Sequence, residues 1–223
     1  MDLRRIAEEM QPKSMAARDW VFQVIRTAIV RGVLPGDMPL RQDEISSALS
    51  VSHIPVREAF RQLEAQGLVR IYPNRGAVVT KLTRHEMENV MDVRIMLEKG
   101  AVSAAIPRMK DEDIETAFAC LHDFTIEKDY NKLDAINLRL HYALYTPCDN
   151  QLLISFIDQL HANVDRYMHP FYSEAYDKEV RSLDEHKALI EACAERNVEK
   201  ALKIIEEHLI DTKKILVTSP ILS

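Results

Sequence analysis

Four side chains in the C-terminal half of the sequence have the types and spacing of a metal site: Asn137, His141, His186 and His208. Asn137 and His141 are four residues apart, so on a helix both project from one face. His186 and His208 lie equally far from Asn197, the predicted turn between two helices, and would return to one level if those helices fold back. The spacing therefore predicts three converging imidazoles and one amide oxygen, which suit a divalent Zn, Ni, Fe or Mn ion. The alternative is that each histidine is an ordinary surface or hydrogen-bonded residue.

A second group of side chains has the chemistry of nucleic-acid contacts. Arg57 and Arg61 are four residues apart on a predicted helix, and His53 precedes them in the turn. Arginine can bridge two acceptors of guanine or bind a phosphate through two hydrogen bonds. The alternative is that Arg57 pairs with Glu58 or Glu64 on a solvated helix face.

These basic side chains need short helices to position them. Apolar residues at a 3.6-residue period predict an amphipathic first helix, and two shorter helices follow it. The three helices are predicted over residues 17–31, 41–49 and 55–66. Ser52 is a suitable N-cap for the third helix, and Gly67 is a suitable C′ residue after it.

A hairpin follows the third helix. Two β-like runs, 68–72 and 77–81, flank a turn signal that contains Arg75, a candidate for phosphate or minor-groove contact. Three helices and a hairpin predict a winged helix-turn-helix domain over residues 14–82, preceded by a leader of residues 1–13.

Helical periodicity continues from residue 83 to the end of the chain. Helices are predicted over 84–106, 111–127, 130–145, 150–168, 182–195 and 198–216. A capping box over residues 83–86 begins the first of them, and helix ends are predicted at Pro107, Pro147 and Pro170. No strand-like alternation interrupts the pattern, so an antiparallel helical bundle is predicted over 83–223. The chain is therefore predicted to be mainly α.

Composition and charge narrow the class of protein. The 223 residues are 47% hydrophobic, which is enough apolar side chain to exclude a disordered chain. The net charge of −6 combines +3 in residues 14–82 with −9 in residues 83–223, which indicates that the first part meets an anionic partner. No secretory signal and no apolar run of about 18 residues is present. With three widely spaced cysteines, these features predict a cytoplasmic protein with reduced thiols and no membrane segment.

Residues 40–79, LRQDEISSALSVSHIPVREAFRQLEAQGLVRIYPNRGAVV, resemble the DNA-binding domain of GntR-family transcription regulators. The stretch VSHIPVREAFRQLEAQGLV is close to the family pattern VSRTPVREALRRLEAEGLV, and AIVRGVLPGDMPL upstream is also similar to the family. The resemblance implies binding to double-stranded DNA. The DNA contacts that we predict are Arg41, Ser52, His53, Arg57, Arg61, Arg75 and Gly76.

Three positions depart from that family pattern. His53 stands where the family usually has Arg, Ile54 where it has Thr, and Asp43 where an Arg is frequent. A carboxylate at position 43 would repel phosphate. Arg57 matches the pattern. These departures mean that the operator sequence cannot be copied from relatives.

Residues from about 90 to 215 resemble the FCD effector domain, which occurs in the FadR subgroup of GntR regulators. The matching pieces are VMDVRIMLEKGAVSAA, NLRLHYALYTPCDNQLL and DEHKALIEACAERNVEKALKIIEEHL. In that domain an Asp and three His bind a divalent metal, and they map onto Asn137, His141, His186 and His208. Because a neutral amide is a weaker ligand than a carboxylate, Asn137 affects both the affinity and the choice of metal.

The resemblance also implies an effector, a small organic acid whose carboxylate binds on or beside the metal. Arg94 matches an arginine of the family and is the first candidate for pairing with that carboxylate, with Arg166 and Arg139 as further candidates. The alternative for Arg94 is a structural ion pair with Glu98, one helical turn away. Arg139 ranks lowest because it is two residues from the metal candidates on either side and points away from them.

Together these features predict a ligand-responsive transcription regulator, a repressor rather than an enzyme, that binds a short inverted-repeat operator as a homodimer. A metal-dependent hydrolase is the alternative, with Glu185 beside His186 as the base. The sequence contains neither an HExxH motif nor a nucleophile elbow, which argues against that alternative.

Overall fold

The computed structural model describes residues 3–10, 15–73, 76–174, 179–219 and 222. The chain divides into two compact units. The first comprises Met1–Lys81 together with His161–Arg166, and the second comprises Leu82–Leu160 and Tyr167–Ser223. The fold is mainly helical, with one small sheet in the first unit, which confirms the predicted fold class. None of the helices formed by the described residues combines the length and the apolar character that crossing a bilayer requires.

In the part of the first unit that the structure describes, most residues belong to four helices: α1 Leu3–Glu9, α2 Ala17–Val30, α3 Gln42–Leu49 and α4 His53–Ala65. The predicted amphipathic face of α2 is buried, since Val21, Val24 and Ile25 have no exposed surface. The three predicted helices are confirmed within two residues at each end. Helix α1 was not predicted; it lies in the leader and buries Leu3 and Ile6 in the core of the first unit.

The sheet of the first unit has three strands, β1 Pro39–Leu40, β2 Val69–Tyr72 and β3 Gly76–Val79. Their order is β1-β3-β2, and both pairings are antiparallel. The predicted hairpin is therefore present as β2 and β3. Strand β1 is an addition to the prediction, because two residues are too short to show an alternating pattern.

The core of the first unit also contains a side chain from far along the sequence. Phe60 of α4 and Ile25 of α2 pack in this core with Leu40 of β1. Ala162, from the segment His161–Arg166, is fully buried in the same cluster. The first unit is therefore not built from the N-terminal residues alone.

Among the described residues, six helices form the second unit: α5 Arg84–Ala105, α6 Asp111–Ile126, α7 Tyr130–Tyr145, α8 Gln151–Glu174, α9 Glu179–Ala194 and α10 Val198–Val217. The middle of α8, His161–Arg166, is the segment that is counted with the first unit. The predicted capping box begins α5, because Thr83 and Glu86 accept hydrogen bonds from each other's backbone N–H. Short 3-10 turns that contain Pro107 and Pro147 follow α5 and α7, as expected from the prolines.

In the second unit, ion pairs between α5 and α10 show that these two helices pack antiparallel. Helix α10 packs against α5 and α9, and α6 packs against α7 and α9. Lys213 pairs with Asp92 at 2.6 Å, and Glu206 pairs with Lys99 at 2.7 Å. Residue numbers rise along α5 as they fall along α10, so these two helices run in opposite directions.

The expected helix end at Pro170 is wrong. Helix α8 passes this residue and continues to Glu174. A proline lacks the N–H that would bond to the carbonyl four residues earlier, which weakens a helix at that point without always ending it.

Candidate DNA-binding face and candidate metal centre

The predicted recognition helix, α4, begins earlier than the sequence indicated. His53, predicted in the turn, is its first residue, and Pro55 lies in its first turn, where a missing N–H costs no helical hydrogen bond. His53, Arg57 and Arg61 thus follow at intervals of four residues and lie on one face of the helix. Ser52 is the N-cap residue in extended conformation, but its side chain makes no capping hydrogen bond.

Basic side chains line a groove of about 930 Å³ on the first unit. Arg41, Arg57 and Arg61 are exposed and belong to its lining, as does Gly76. Within the described part of the chain, Arg57 and Arg61 make no ion pair. The alternative weighed from the sequence, that Arg57 pairs with Glu58 or Glu64 of its own helix, is therefore not what the structure shows. Three cationic groups on one concave surface create a potential that attracts phosphate.

Carboxylates lie near these arginines: Glu44, whose Oε1 is 3.9 Å from Nε of Arg41, and Asp43. Asp43 of α3 lines the same groove, and its Oδ1 lies 3.2 Å from Nε2 of His53. Both side chains are largely exposed. The imidazole N–H is within hydrogen-bonding distance of the carboxylate and offsets part of its repulsion of phosphate. Two of the positions at which the sequence departs from the family pattern therefore contact each other, although no sequence pattern predicts this contact.

The strand side of the groove depends on a glycine. Gly76 begins β3 with φ of +83°, a region that L side chains rarely adopt. A Cβ at this position would collide with the carbonyl oxygen of Leu40. Glycine is therefore required where β1 and β3 approach. Arg75, the predicted contact of the turn, lies outside the described residues.

Three predicted metal ligands are brought together in the second unit. His141 of α7, His186 of α9 and His208 of α10 have candidate ligand atoms within 4.8 Å of one another. The Nε2 atoms of His141 and His186 are 3.1 Å apart, and both residues are buried. The ring centroids of His186 and His208 are 4.8 Å apart, so the two helices do fold back around Asn197. Asn137 lies one turn before His141 on α7 and is half-buried; as a fourth ligand it stays a prediction.

A buried hydrogen-bond chain lies behind His141. Nδ1 of His141 is 3.0 Å from the hydroxyl of Tyr145, and this hydroxyl donates to Oε2 of Glu98 at 2.7 Å. Arg94 Nε donates to the other oxygen of Glu98, also at 2.7 Å. Burial, together with the charge of Glu98, raises the pKa of Tyr145 well above its usual value of 10.0, so the hydroxyl keeps its proton.

Behind His208 lies a carboxylate. Nδ1 of His208 is 2.8 Å from Oε2 of Glu185, which belongs to α9. The sequence predicted neither the role of Tyr145 nor this contact, and Glu185 was a candidate only as a base beside His186. The available signal was spacing, since Tyr145 follows His141 by four residues on α7 and therefore shares its face.

The donor set fits a divalent ion. Two imidazole nitrogens 3.1 Å apart can share at most one proton, so at least one lone pair faces the other ring. His141 and His208 each have Nδ1 engaged by a hydrogen-bonding group, which is the usual arrangement of histidines that bind metal through Nε2. Three imidazole nitrogens, with an oxygen donor as a further ligand, suit Zn and its neighbours among the divalent metals.

The three arginines predicted to bind an effector lie in different surroundings. Arg94 is buried, and its ion pair with Glu98, the alternative weighed from the sequence, is present. Arg139 is exposed, with Nη1 3.8 Å from a carboxylate oxygen of Asp123. Arg166 is counted with the first unit, where its Nη1 donates to the carbonyl oxygen of Thr80 at 2.6 Å. Through Glu98 and Tyr145, Arg94 shares a hydrogen-bond chain with His141 of the cluster.

Comparison with protein families gives two matches whose boundary, between residues 79 and 89, includes the passage from Lys81 to Leu82 at which the structure changes from the first unit to the second. The family described as bacterial regulatory proteins, gntR family, matches residues 17–79. The FCD domain matches residues 89–211.

Curated relatives cover most of the chain. The HTH-type transcriptional repressor RspR of Escherichia coli K12 is 27% identical over 192 residues, which are 85% of this chain and 84% of the relative. The HTH-type transcriptional repressor GlaR of the same strain is 25% identical over 203 residues, covering 85% of this chain and 90% of the relative.

Solved structures show the same architecture. E. coli McbR/YncC superposes with a TM-score of 0.81 over 91% of this chain and 98% of that chain, at 19% identity, which supports the fold alone. A GntR family member from Pseudomonas syringae pv. tomato DC3000 is 28% identical, with a TM-score of 0.55 over 96% of this chain and 94% of that chain.

Proposed function

Since the chain belongs to the bacterial GntR family of transcription regulators and carries an FCD domain, we propose that it represses transcription in response to a small organic acid. The first unit binds an operator in double-stranded DNA, and the second unit binds the acid beside a divalent metal ion. The observation that carries the DNA-binding part is the groove lined by Arg41, Arg57 and Arg61. The observation that carries the sensing part is the cluster of His141, His186 and His208. Because its partner is bacterial chromosomal DNA, the protein acts in the cytoplasm.

The DNA-binding part follows from the geometry of α3 and α4. A helix that presents His53, Arg57 and Arg61 along one face can lie in the major groove with those side chains toward base edges. Arg41, Ser52 and the strand residues near Gly76 then meet the phosphate backbone. A single site of this size reads few base pairs, so we propose that a homodimer binds an inverted repeat.

An exposed patch of α5 and α10 offers a surface for the second copy. Met96 is 71% exposed and lines a shallow groove with Ile210. The charges at the edge of the groove are already paired, Asp92 with Lys213 and Lys99 with Glu206. A patch that is apolar at its centre and electrically balanced at its rim can pack against its own copy, as a twofold interface requires.

In the sensing part, His141, His186 and His208 would hold the metal ion, with Asn137 as a fourth candidate. The ion supplies positive charge that attracts the carboxylate of the acid. Arg94 is the effector-binding candidate that its surroundings favour, because Glu98 connects it to Tyr145 and His141. Arg139 and Arg166 rank below it, because Arg139 is exposed on α7 and Arg166 is counted with the first unit, where it donates to Thr80.

A regulator of this kind has two conformational states, one that binds the operator tightly and one that binds it weakly. The acid relieves or strengthens repression only if its affinity differs between these two states. Typical coupling free energies are about 1–3 kcal/mol, which change affinity by factors of roughly 5–150. The alternative of a metal-dependent hydrolase gains no support, because Glu185, its candidate base, contacts His208.

The experiment that tests this function is selection of DNA from a random duplex library, followed by footprinting of the selected sequence. Arg57→Ala should weaken specific binding about 10- to 100-fold, because a bidentate contact to a base is worth about 1–3 kcal/mol. Arg108→Ala is the matched control; it removes one exposed positive charge from the second unit. Unchanged footprints with Arg57→Ala would refute the assignment of α4 as the recognition helix.

A further inference from the structure

We propose that Glu98, Tyr145 and Glu185 are positioning residues of the metal centre. They determine which nitrogen of His141 and of His208 carries the proton, and so present Nε2 of both rings to the ion. The proposal rests on the proposed metal site but assigns a role to residues outside the ligand set.

The first relay, by which we mean the hydrogen bonds that lead from Glu98 through Tyr145 to His141, consists of three buried side chains. Glu98 has no exposed surface, and each of its carboxylate oxygens accepts one short hydrogen bond, from Arg94 and from Tyr145. A phenol has one proton, and Tyr145 gives it to Glu98. The oxygen of Tyr145 can then only accept from Nδ1 of His141, 3.0 Å away. A neutral imidazole carries one N–H, so Nε2 of His141 keeps its lone pair.

The second relay is direct. A carboxylate only accepts hydrogen bonds, so the contact of 2.8 Å between Glu185 and His208 requires a proton on Nδ1 of His208. Nε2 of His208 is then the atom with the lone pair. Two unrelated arrangements, one through a phenol and one through a carboxylate, thus select the same tautomer at two of the three histidines.

This selection has a consequence for affinity. An imidazole whose other N–H donates to a carboxylate, or to a group that a carboxylate holds, is a stronger ligand and is fixed in orientation. Loss of such a partner typically costs 10- to 100-fold in metal affinity. Because Glu98 is shared with Arg94, the first relay also connects the candidate effector arginine to a metal ligand.

The test is titration of the metal-free full chain with Zn²⁺ against a competing chelator, and with Co²⁺ for its visible spectrum. Tyr145→Phe removes only the hydroxyl, and Glu185→Gln keeps the shape of the side chain. Each should weaken Zn²⁺ binding 10- to 100-fold and shift the Co²⁺ bands. Tyr142→Phe, which removes a hydroxyl from the same helix, and Glu191→Gln, on the exposed face of α9, are the matched controls and should bind as the wild type does.

The outcomes separate the two proposals. Wild-type affinity and unchanged Co²⁺ spectra in Tyr145→Phe and Glu185→Gln overturn the positioning role, also if thermal stability falls, because the residues are then structural only. If Tyr145→Phe does not fold, Glu185→Gln at its partly exposed position decides alone. The metal site itself fails if the wild type binds no ion, or if His141→Ala combined with His186→Ala binds one as well as the wild type does.

Discussion

Two side chains of the second unit, Cys193 and Tyr145, have raised pKa values because they are buried. Cys193 of α9 has no exposed surface, and burial raises the pKa of its thiol from 9.0 to about 12. Tyr145 is shifted in the same direction for the same reason. In both residues the neutral, protonated form is the one that the fold accommodates, so neither is a nucleophile at ordinary pH.

The shift of Cys193 makes the stability of the protein depend on pH. Below pH 9 the thiol is protonated in the folded and unfolded states, and its contribution is complete. Between about pH 9 and 12 the unfolded state loses the proton and the folded state does not, so the free energy of unfolding falls by about 1.4 kcal/mol per pH unit. Urea unfolding of Cys193→Ala should show a flatter profile than the wild type in this range. Parallel profiles would contradict the shift.

Residue spacing predicted the histidines, but contacts across helices did not follow from it. The interval of four between Asn137 and His141 and the symmetry about Asn197 are properties of a helix and of a helical hairpin, so they can be read from one sequence. The pairs Asp43–His53 and Glu185–His208 join different helices. Their existence depends on how those helices pack, which periodicity alone does not report.

Helices were easier to predict than strands in this chain. Apolar residues at a period of 3.6 mark α2 over four turns, and each buried position repeats the signal. Strand β1 has two residues and no repeat, yet it completes the sheet and lies against β3 at Leu40 and Ala77. In helix α8 the prediction was wrong in another way. Pro170 predicted a helix end, but the helix continues past it to Glu174.

The close approach of β1 and β3 can be tested at Gly76. Gly76→Ala should destabilise the first unit by about 1–3 kcal/mol, because it adds a Cβ at positive φ against the carbonyl of Leu40. The measurement is thermal unfolding followed by fluorescence of Trp20, the one tryptophan of the sequence, which packs against this core.

A glycine in open space is the matched control. Gly100 lies in α5, and a Cβ there would meet nothing within 4 Å. Gly100→Ala should therefore stabilise its helix by up to about 1 kcal/mol. If Gly76→Ala and Gly100→Ala change the free energy of unfolding in the same direction, steric crowding at Gly76 does not explain the effect of Gly76→Ala.

At the scale of the whole molecule, the first unit is discontinuous in sequence. Ala162 is buried in its core, and Nδ2 of Asn163 donates to the carbonyl oxygen of Gln66 at 2.7 Å, directly after α4. Arg166 donates to Thr80 at the end of the hairpin. These contacts stabilise the unit that carries the candidate DNA-binding face.

A fragment of residues 1–82 should therefore be less stable than the first unit in the full chain. The loss of three hydrogen bonds and one buried alanine corresponds to about 2–5 kcal/mol. Urea unfolding followed by Trp20 fluorescence measures it, and Asn163→Ala in the full chain should show part of the same loss. Equal midpoints for the fragment and the full chain would contradict the structural role of the segment.

The helical class, the hairpin after the third helix and the spacing of the histidines could be predicted from the amino-acid sequence, because local patterns indicate them. The contact of Asp43 with His53, the contacts of Tyr145 and Glu185 with the histidines, and the inclusion of residues 161–166 in the first unit are visible only in the folded chain. Such contacts join residues up to about a hundred positions apart, and their energies depend on the packing of whole helices, which no local pattern encodes.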